Sequence, residues 1–302
     1  MDRIYLMELV RSRQVGMVTR REFLHQATAV LGSAVTANLL LAACTPAASE
    51  ATPPPVVDTT QPPTAPGTVS EGKLTTGIVT YPGQQGAELM GYLAQQTEGA
   101  PAPGVVVVQE WWGLNEHIKD VTRRFADEGF VALAPDLYHG AVTTEPDEAR
   151  KLVMELDMPA AVGEIEQAIL YLKSQPFVTG GVGVVGFCMG GGLVLQTAVR
   201  SQAMDAGVVF YGSPLGPDDA AKVHAPILTF LGTADSIPAS GVEAMHRAFD
   251  EADIVNDYQL YEGAQHAFFN DTRSSYNPTA ATDAWSRTLA WFRQYLQTGA
   301  AS

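Results

Sequence analysis

One stretch decides the fold: Val182-Gly183-Val184-Val185-Gly186-Phe187-Cys188-Met189-Gly190-Gly191-Gly192-Leu193-Val194-Leu195. Its first six residues are valines, glycines and a phenylalanine, a composition typical of a strand buried on both faces. The residues from Met189 onward have the apolar spacing of a helix. Gly186 and Gly190 flank the junction, where glycine permits the close backbone approach that a sharp turn requires. The stretch therefore predicts a strand, a tight turn at Cys188 and a helix.

The turn itself carries a chemical signal. Gly186-Phe187-Cys188-Met189-Gly190 has the pattern of a nucleophile elbow, with cysteine in place of serine. The first amide of the following helix, that of Met189, would then be directed toward a substrate oxygen, and the helix N-terminus favours a thiolate. The alternative is a small buried cysteine that only packs the turn, because free cysteines are among the most buried residues.

Apolar runs and amphipathic stretches alternate on both sides of this turn. Further buried runs lie at residues 105–108, 130–134, 207–211 and 227–231, and helical patterns at residues 117–128, 148–156, 160–173 and 241–250. Residues 74–93 have the pattern of an antiparallel pair, and residues 283–296 that of a closing helix. The alternation predicts a single α/β domain over residues 71–300, with a mostly parallel sheet and helices on both faces. Ligands of such sheets bind at the carboxyl ends of the strands.

An acid and a base follow the cysteine at these strand ends. Asp235 closes Leu231-Gly232-Thr233-Ala234-Asp235, and His266 lies in a loop after a further strand. Taken singly, Asp235 is equally well explained as a loop or helix-capping residue, and His266 as a surface histidine. The chain order nucleophile, acid, histidine is that of the α/β-hydrolases. We therefore predict that Cys188, Asp235 and His266 form a catalytic triad.

Five motifs extend the pattern beyond the triad. They are Gln109-Glu110-Trp111-Trp112-Gly113-Leu114-Asn115, Ala134-Pro135-Asp136-Leu137-Tyr138, Gly186-Phe187-Cys188-Met189-Gly190-Gly191, Gly232-Thr233-Ala234-Asp235 and Gly263-Ala264-Gln265-His266. With them, residues 71–296 resemble the dienelactone hydrolase family of the α/β-hydrolase superfamily. The resemblance implies a single-domain hydrolase of small-molecule esters or lactones, with a Cys-His-Asp triad and neither a metal nor another cofactor. A thiolate would attack the ester carbonyl, and water would then resolve the thioester.

The resemblance also gives Glu110 and Trp111 a role. A carboxylate at the end of a fully apolar strand is costly unless it has a partner. In the family the matching glutamate holds the resting thiol and helps to deprotonate it, which implies a catalytic role for Glu110. The amide of Trp111 would join that of Met189 in the oxyanion hole. The alternative for Glu110 is a structural hydrogen bond to a loop.

The substrate-binding residues depart from the family pattern. Family members that act on dienelactone bind its carboxylate with arginines, one of them four residues beyond the histidine. Asn270 occupies that position here, with Arg273 three residues further on, and the segment expected to hold the other arginine is mostly acidic and ends at Arg150. Arg150 and Arg273 are therefore candidate substitutes. Trp112, beside Trp111, is a candidate for a bulkier apolar substrate or for packing.

The first seventy residues predict export and anchoring. Arg20-Arg21, an apolar stretch at residues 27–43 and Leu41-Ala42-Ala43-Cys44 resemble a twin-arginine-type lipoprotein signal over residues 1–44, with Cys44 lipidated. The alternative to a cleaved signal is a transmembrane anchor, and the alternative to a lipidated Cys44 is a disulfide between Cys44 and Cys188. The start of translation is either Met1 or Met17. Residues 45–70 are rich in Pro, Ala and Thr and predict a disordered tether. The domain would then be held on the periplasmic or cell-surface side of a membrane.

The net charge of the chain indicates which classes of partner it is unsuited to bind. A formal net charge of −15 disfavours nucleic acid as a partner, because phosphate binding needs clustered Lys and Arg. The sequence does not indicate an oligomeric state or the natural substrate. Two other functions stay open: a non-catalytic lipoprotein that binds a ligand in this cleft, and a thioesterase or peptidase that uses the same triad.

Overall fold

The computed structural model describes residues 67–296. The predicted signal over residues 1–44, its lipidation site Cys44 and most of the predicted tether lie outside the described residues. The first strand begins at Gly67, so the last four residues of the segment predicted to be a tether are paired in the sheet. The domain therefore starts four residues earlier than predicted.

A nine-stranded sheet forms the centre of the domain, as the fold class predicted. The strands are β1 (Gly67–Glu71), β2 (Leu74–Pro82), β3 (Glu88–Gln96), β4 (Ala102–Val108), β5 (Val131–Pro135), β6 (Val178–Phe187), β7 (Ala206–Phe210), β8 (Ile227–Gly232) and β9 (Asn256–Tyr261). Their spatial order is β1-β2-β3-β5-β4-β6-β7-β8-β9. The three N-terminal strands are antiparallel, β3 joins β5 antiparallel, and all later neighbours are parallel. The prediction of a mostly parallel sheet is confirmed.

Within residues 67–296, six helices and a 3-10 turn at Gln84–Gly86 connect the strands, and a seventh helix follows β9. The helices are α1 (Glu116–Asp127), α2 (Pro146–Glu155), α3 (Met158–Lys173), α4 (Met189–Arg200), α5 (Pro217–Ala220), α6 (Ala239–Glu251) and α7 (Pro278–Leu296). Of these, α5 was not predicted, and α7 begins five residues early because Asn277 caps it by accepting from the amide of Ala280. Between residues 67 and 296, no helix has both the length and the hydrophobicity needed to cross a bilayer.

The central strand β4 shows how the two faces are filled. Val105 and Val107 point into the apolar cluster beneath α1 and α7, whereas Val106 and Val108 point into the one beneath α3, α4 and α6. All four valines are 0% exposed. Burying each of them contributes about 1.5–3 kcal/mol. A strand covered on both faces therefore has a continuous β-branched run rather than an alternating one.

The parallel strands bring distant side chains to one edge of the sheet. Glu110 lies two residues after β4, Cys188 directly after β6, Asp235 three residues after β8 and His266 five residues after β9. Because these strands run in the same direction, their carboxyl ends meet at this edge. The chemistry-bearing residues of the sequence are thus assembled in one place.

Candidate active site

The backbone at Cys188 has the strained conformation that the sequence predicted. Its φ is +56° and its ψ −116°, a region that non-glycine residues rarely adopt, at a cost of about 1–3 kcal/mol. The Cys188 amide donates to the carbonyl of Phe210 at 3.0 Å, which ties the turn to β7. Cys188 is a free thiol and lies at the N-terminus of α4.

Two glycines make this turn possible. A Cβ atom at Gly186 would collide with the carbonyl oxygen of Gly190. A Cβ atom at Gly190 would lie 2.6 Å from the carbonyl oxygen of Val108 and 2.5 Å from that of Gln109, both at the end of β4. Their missing side chains therefore let the start of α4 pack directly against the chain that leads to Glu110.

Asp235 and His266 form a hydrogen-bonded pair. The His266 Nδ1–H donates to Asp235 Oδ2 at 2.8 Å, and the aspartate side chain is 0% exposed. The other oxygen, Oδ1, accepts from the Ile237 amide at 2.9 Å and the Ser236 hydroxyl at 3.3 Å. Burial alone would raise the pKa of Asp235, but these hydrogen bonds, with that from His266 the strongest, lower it. The carboxylate is thus held ionised beside the imidazole.

His266 joins this aspartate to the thiol. It is hydrogen-bonded to Asp235, and it borders the same two cavities as Cys188. Burial alone would lower the pKa of His266, but these two acidic partners raise it to about 10. Because a carboxylate only accepts hydrogen bonds, the Nδ1 proton is fixed by Asp235 and Nε2 is left for the thiol. The raised pKa keeps the imidazole protonated beside the thiol.

Backbone hydrogen bonds join the loops that carry the acid and the base. The Thr233 amide donates to the carbonyl of Tyr261 at 2.9 Å, and the Ala234 amide donates to that of Ala264 at 3.0 Å. A Cβ atom at Gly232 would collide with the Ala264 carbonyl oxygen, so this close approach requires glycine. The Asp235–His266 distance is therefore set by the backbone.

Glu110 is partnered by a loop rather than by the thiol. It is 1% exposed, and its Oε2 accepts from Asn270 Nδ2 at 2.8 Å while its Oε1 accepts from the Tyr211 hydroxyl at 3.4 Å. Burial raises the pKa of Glu110, and the hydrogen bond from Asn270 and the nearby charges of Arg273 and His266 oppose that rise. No hydrogen bond joins Glu110 to the Cys188 thiol within residues 67–296, although the resemblance implied one; its side-chain partners are Asn270 and Tyr211. The structure matches the alternative of a hydrogen bond to a loop.

Asn270 belongs to the site, although the sequence showed it only as the residue that replaces an arginine of the family pattern. It is 1% exposed, and its Oδ1 accepts from the Thr272 hydroxyl at 2.6 Å and the Thr272 amide at 3.0 Å. Because both of these contacts are to donors, the side-chain oxygen is fixed and Nδ2 is directed at Glu110. The signal available in the sequence was an amide residue four positions after His266, but nothing there identified its partner.

The proposed oxyanion donors lie beside the thiol. Met189 and Trp111 both border the same cavity as Cys188, and the hydroxyl of Tyr138 contacts the Met189 sulfur at 3.4 Å. Within residues 67–296, neither the Met189 amide nor the Trp111 amide donates a hydrogen bond to another residue. Both amides are therefore available to an oxygen atom of a bound substrate.

Two cavities meet at the thiol and share Trp111, Cys188 and His266. The smaller, of about 420 Å³, is bordered by Glu110, Trp112 and Arg273. The guanidinium of Arg273 lies 3.9 Å from the centre of the Trp112 ring. The larger cavity, of about 600 Å³, is lined mainly by apolar side chains from α2, α3 and α4 and from the loop after β7.

Arg150 is not part of this arrangement. It lies on the exposed face of α2, where its guanidinium donates to Asp147 at 2.7 Å, and it borders neither cavity. The placement of Arg150 among substrate-binding residues is therefore corrected. Among the described residues, no group of three or more His, Cys, Asp or Glu side chains is arranged to hold a metal ion.

Known proteins are similar to this chain in sequence and fold. The model of the dienelactone hydrolase family matches residues 89–296. A protein named "Putative carboxymethylenebutenolidase" from Methylorubrum extorquens is 36% identical over 239 residues, which cover 74% of this chain and 82% of that protein. The crystal structure of a "Putative Dienelactone Hydrolase" from Klebsiella pneumoniae has a TM-score of 0.69 at 32% identity and covers 74% of this chain and 100% of that one.

A further solved structure is similar to the same extent. It is a dienelactone hydrolase-like promiscuous phosphotriesterase from metagenomic libraries, with a TM-score of 0.68, 27% identity and coverage of 74% of this chain and 100% of that one. The resemblance seen in the sequence motifs is confirmed. The chain belongs to the dienelactone hydrolase family, a family of carboxylic ester hydrolases with the α/β-hydrolase fold.

Proposed function

We propose that this protein cleaves carboxylic esters or lactones with Cys188 as nucleophile, His266 as base and acid, and Asp235 as the group that orients the imidazole. One observation carries this assignment: His266 is hydrogen-bonded to Asp235 at 2.8 Å and borders the same two cavities as Cys188, a cysteine on a positive-φ elbow. Binding alone needs no ordered acid and base around a strained cysteine. This arrangement therefore favours catalysis over a ligand-binding role.

The chemistry follows from these positions. The thiolate attacks the carbonyl carbon, and the oxygen of the tetrahedral intermediate accepts hydrogen bonds from the amides of Trp111 and Met189. His266, as imidazolium, protonates the leaving alcohol, and an acyl thioester remains on Cys188. His266 then takes a proton from water, the hydroxide attacks the thioester, and the carboxylic acid leaves as the thiol is regenerated.

Glu110 acts electrostatically in this scheme. Its charge and that of His266 favour one another, since the imidazolium lowers the pKa of the buried carboxyl. In its ionised form Glu110 stabilises the protonated imidazole of His266 without contacting the thiol. Asn270 and Tyr211, which hydrogen-bond its two oxygens, keep it in place.

Arg273 is the proposed polar substrate contact. It lies over Trp112 in the smaller cavity, and within the described residues it makes no ion pair with a carboxylate. A carboxylate or another compact anionic group on the substrate would bind there. Replacing Arg273 by Met should lower kcat/KM for the monoester of a dicarboxylic acid at least tenfold more than for the neutral methyl diester. Equal losses on both esters would contradict this role.

Residues 1–44 act as a twin-arginine-type lipoprotein signal, and Cys44 carries the lipid that anchors the enzyme outside the cytoplasm. Arg20-Arg21 and Leu41-Ala42-Ala43-Cys44 support this assignment. In a bacterial host fed labelled palmitate, the full chain should incorporate label and sediment with membranes, and Cys44→Ala should do neither. Label that persists in Cys44→Ala would overturn the assignment.

Steady-state kinetics of the full chain test the proposed activity. The substrates are p-nitrophenyl esters, dienelactone, an acyl thioester and a p-nitroanilide, each measured with wild type, Cys188→Ala and Cys188→Ser. We expect ester or lactone turnover that falls by at least 10³-fold in Cys188→Ala. Turnover of only the thioester or only the anilide would favour another acyl-transfer reaction. A folded wild type that is inert on every substrate would favour a ligand-binding role.

A further inference from the structure

The larger cavity is bordered mainly by aliphatic side chains. Its walls include apolar side chains from three helices: Val153 of α2, Val162 of α3 and Leu193 of α4, with Leu215 and Ile237 from loops at the same edge of the sheet. Apart from His266 at the thiol, its charged members are Arg200 and Asp219, which are exposed and lie at the rim. At about 600 Å³ the cavity falls within the range of about 300–1,000 Å³ that holds drug-sized ligands.

Gly192 stands on the wall of this cavity without a backbone reason to be glycine. A Cβ atom at the preceding Gly191 would lie 2.9 Å from both the Cα atom of Gly212 and the carbonyl oxygen of Phe210, so that position requires glycine. A Cβ atom at Gly192 would have one heavy atom within reach, the amide nitrogen of Ser213 at 4.0 Å. Glycine inside a helix costs about 0.8–1 kcal/mol relative to alanine. What its missing side chain provides at this position is free volume, four residues from the nucleophile.

We propose that this apolar cavity is a substrate subsite, and that the natural substrate is an amphiphilic ester. Its apolar alkyl or aryl substituent lies against Gly192 and Leu193, and its compact polar or anionic part lies at Arg273. Gly192 is then a specificity-determining residue, since any larger side chain there shortens the space available. This inference rests on the proposed hydrolase function and adds the class of substrate to it.

The size of the effect follows from the hydrophobic gain per carbon atom. Burying one methylene contributes about 0.8 kcal/mol, which is about fourfold in kcat/KM when the group is buried in the transition state. The kcat/KM should therefore rise about fourfold for each methylene added to the apolar substituent, until the cavity is filled. A leucine at position 192 occupies the space of two to three methylenes, so it should lower the ratio of kcat/KM for long esters to kcat/KM for short esters more than tenfold.

Two homologous ester series test the subsite with the full chain. One varies the acyl chain of p-nitrophenyl esters from acetate to decanoate, and the other varies the alcohol of alkyl butanoates. Wild type is compared with Gly192→Ala, Gly192→Leu and the control Met154→Ala. Met154 follows Val153 on α2 but is 75% exposed and does not border the cavity. Thermal melts should show that both Gly192 variants are at least as stable as wild type, because a Cβ atom there meets nothing closer than 4.0 Å and glycine is unfavourable inside a helix.

We expect kcat/KM to rise with chain length in at least one series, and the long-to-short ratio to fall more than tenfold in Gly192→Leu and less in Gly192→Ala. Met154→Ala should keep the wild-type ratio. No dependence on chain length in either series, or an undiminished dependence in Gly192→Leu, would overturn the subsite.

Binding separates this inference from the proposed activity. Calorimetry with p-nitrophenyl decyl ether, which has no ester to cleave, should detect binding to Cys188→Ala and more than tenfold weaker binding to Cys188→Ala/Gly192→Leu. If every ester is inert but this difference is present, the hydrolase proposal fails and the apolar subsite stands. Absence of the difference removes the subsite whatever the kinetics show.

Discussion

Replacing Asn270 by alanine should make the stability of the domain depend on pH through Glu110. The substitution removes the shorter of the two hydrogen bonds to this carboxylate, the 2.8 Å contact from Nδ2, and leaves the 3.4 Å contact from Tyr211. Glu110 is 1% exposed, so water does not replace the lost donor. A hydrogen bond to a buried charged group contributes about 1.5–3 kcal/mol, which is the expected loss when Glu110 is ionised.

The sign of the pH dependence follows from the raised pKa of Glu110. The native state holds this proton more tightly than the unfolded chain, so stability is greatest below the ordinary glutamate pKa of about 4.3 and is lost as pH rises through the native pKa. Asn270 opposes that rise in pKa, and its removal enlarges the loss. The free-energy cost of Asn270→Ala should therefore have two parts. The lost hydrogen bonds from Thr272 contribute equally at every pH, and the lost contact with ionised Glu110 adds about 1.5–3 kcal/mol at alkaline pH but not near pH 4.

Urea unfolding at several pH values between about 4 and 9 measures this cost, with Glu110→Gln as the matched background. In Glu110→Gln the residue at position 110 no longer ionises, so adding Asn270→Ala should cost the same free energy at every pH. The reasoning is refuted if Asn270→Ala costs as much near pH 4 as near pH 9, or if its pH dependence persists when Glu110 is replaced.

Three further predictions concern the elbow and the acid–base pair. Asp235→Asn removes the carboxylate that fixes the Nδ1 proton of His266. The kcat should fall about 10³–10⁴-fold, with KM changed by less than tenfold. An equal loss of kcat in Asp250→Asn, a residue remote from the thiol, would refute the specific role of Asp235. Because the pKa of His266 is raised to about 10, this histidine should stabilise the folded state fully below about pH 6.5, and that stabilisation should be lost as pH rises through 10. In Asp235→Asn, unfolding measurements should show the same loss of stability at a lower pH. Gly186→Ala should lower the free energy of unfolding by more than about 3 kcal/mol, because the new methyl collides with a backbone carbonyl; a wild-type denaturation midpoint would contradict this.

Local patterns were sufficient for the elbow and the strand ends. Near Cys188, a side chain at Gly186 or Gly190 would collide with backbone atoms, so only glycine fits there. A requirement of this kind is visible in the sequence itself. The valines of β4 likewise predict a strand covered on both faces, and the structure confirms it. The order of Cys188, Asp235 and His266 was informative because parallel strands place their carboxyl ends at one edge of the sheet.

Contacts between distant segments were not predictable in this way. Glu110 meets Asn270 across 160 positions and Tyr211 across 101, and no local periodicity encodes that pairing. Arg150 was misplaced because its chain position predicted proximity to the substrate, whereas the face of α2 on which it lies is set by packing of that helix. Residues 67–70 were assigned to the tether because they continue a segment rich in small and polar residues, whereas their backbone pairs with β2, a segment several residues further along the chain.

The central claim is that Cys188 is acylated during turnover. Wild type mixed with p-nitrophenyl butanoate and quenched in acid within the first turnovers is examined by intact and peptide mass spectrometry, beside Cys188→Ala. We predict a single butanoyl group on the peptide that contains Cys188, released by neutral hydroxylamine and absent from Cys188→Ala. Undiminished turnover by Cys188→Ala, or an acyl group on another residue that forms and decays at the rate of turnover, would contradict the account.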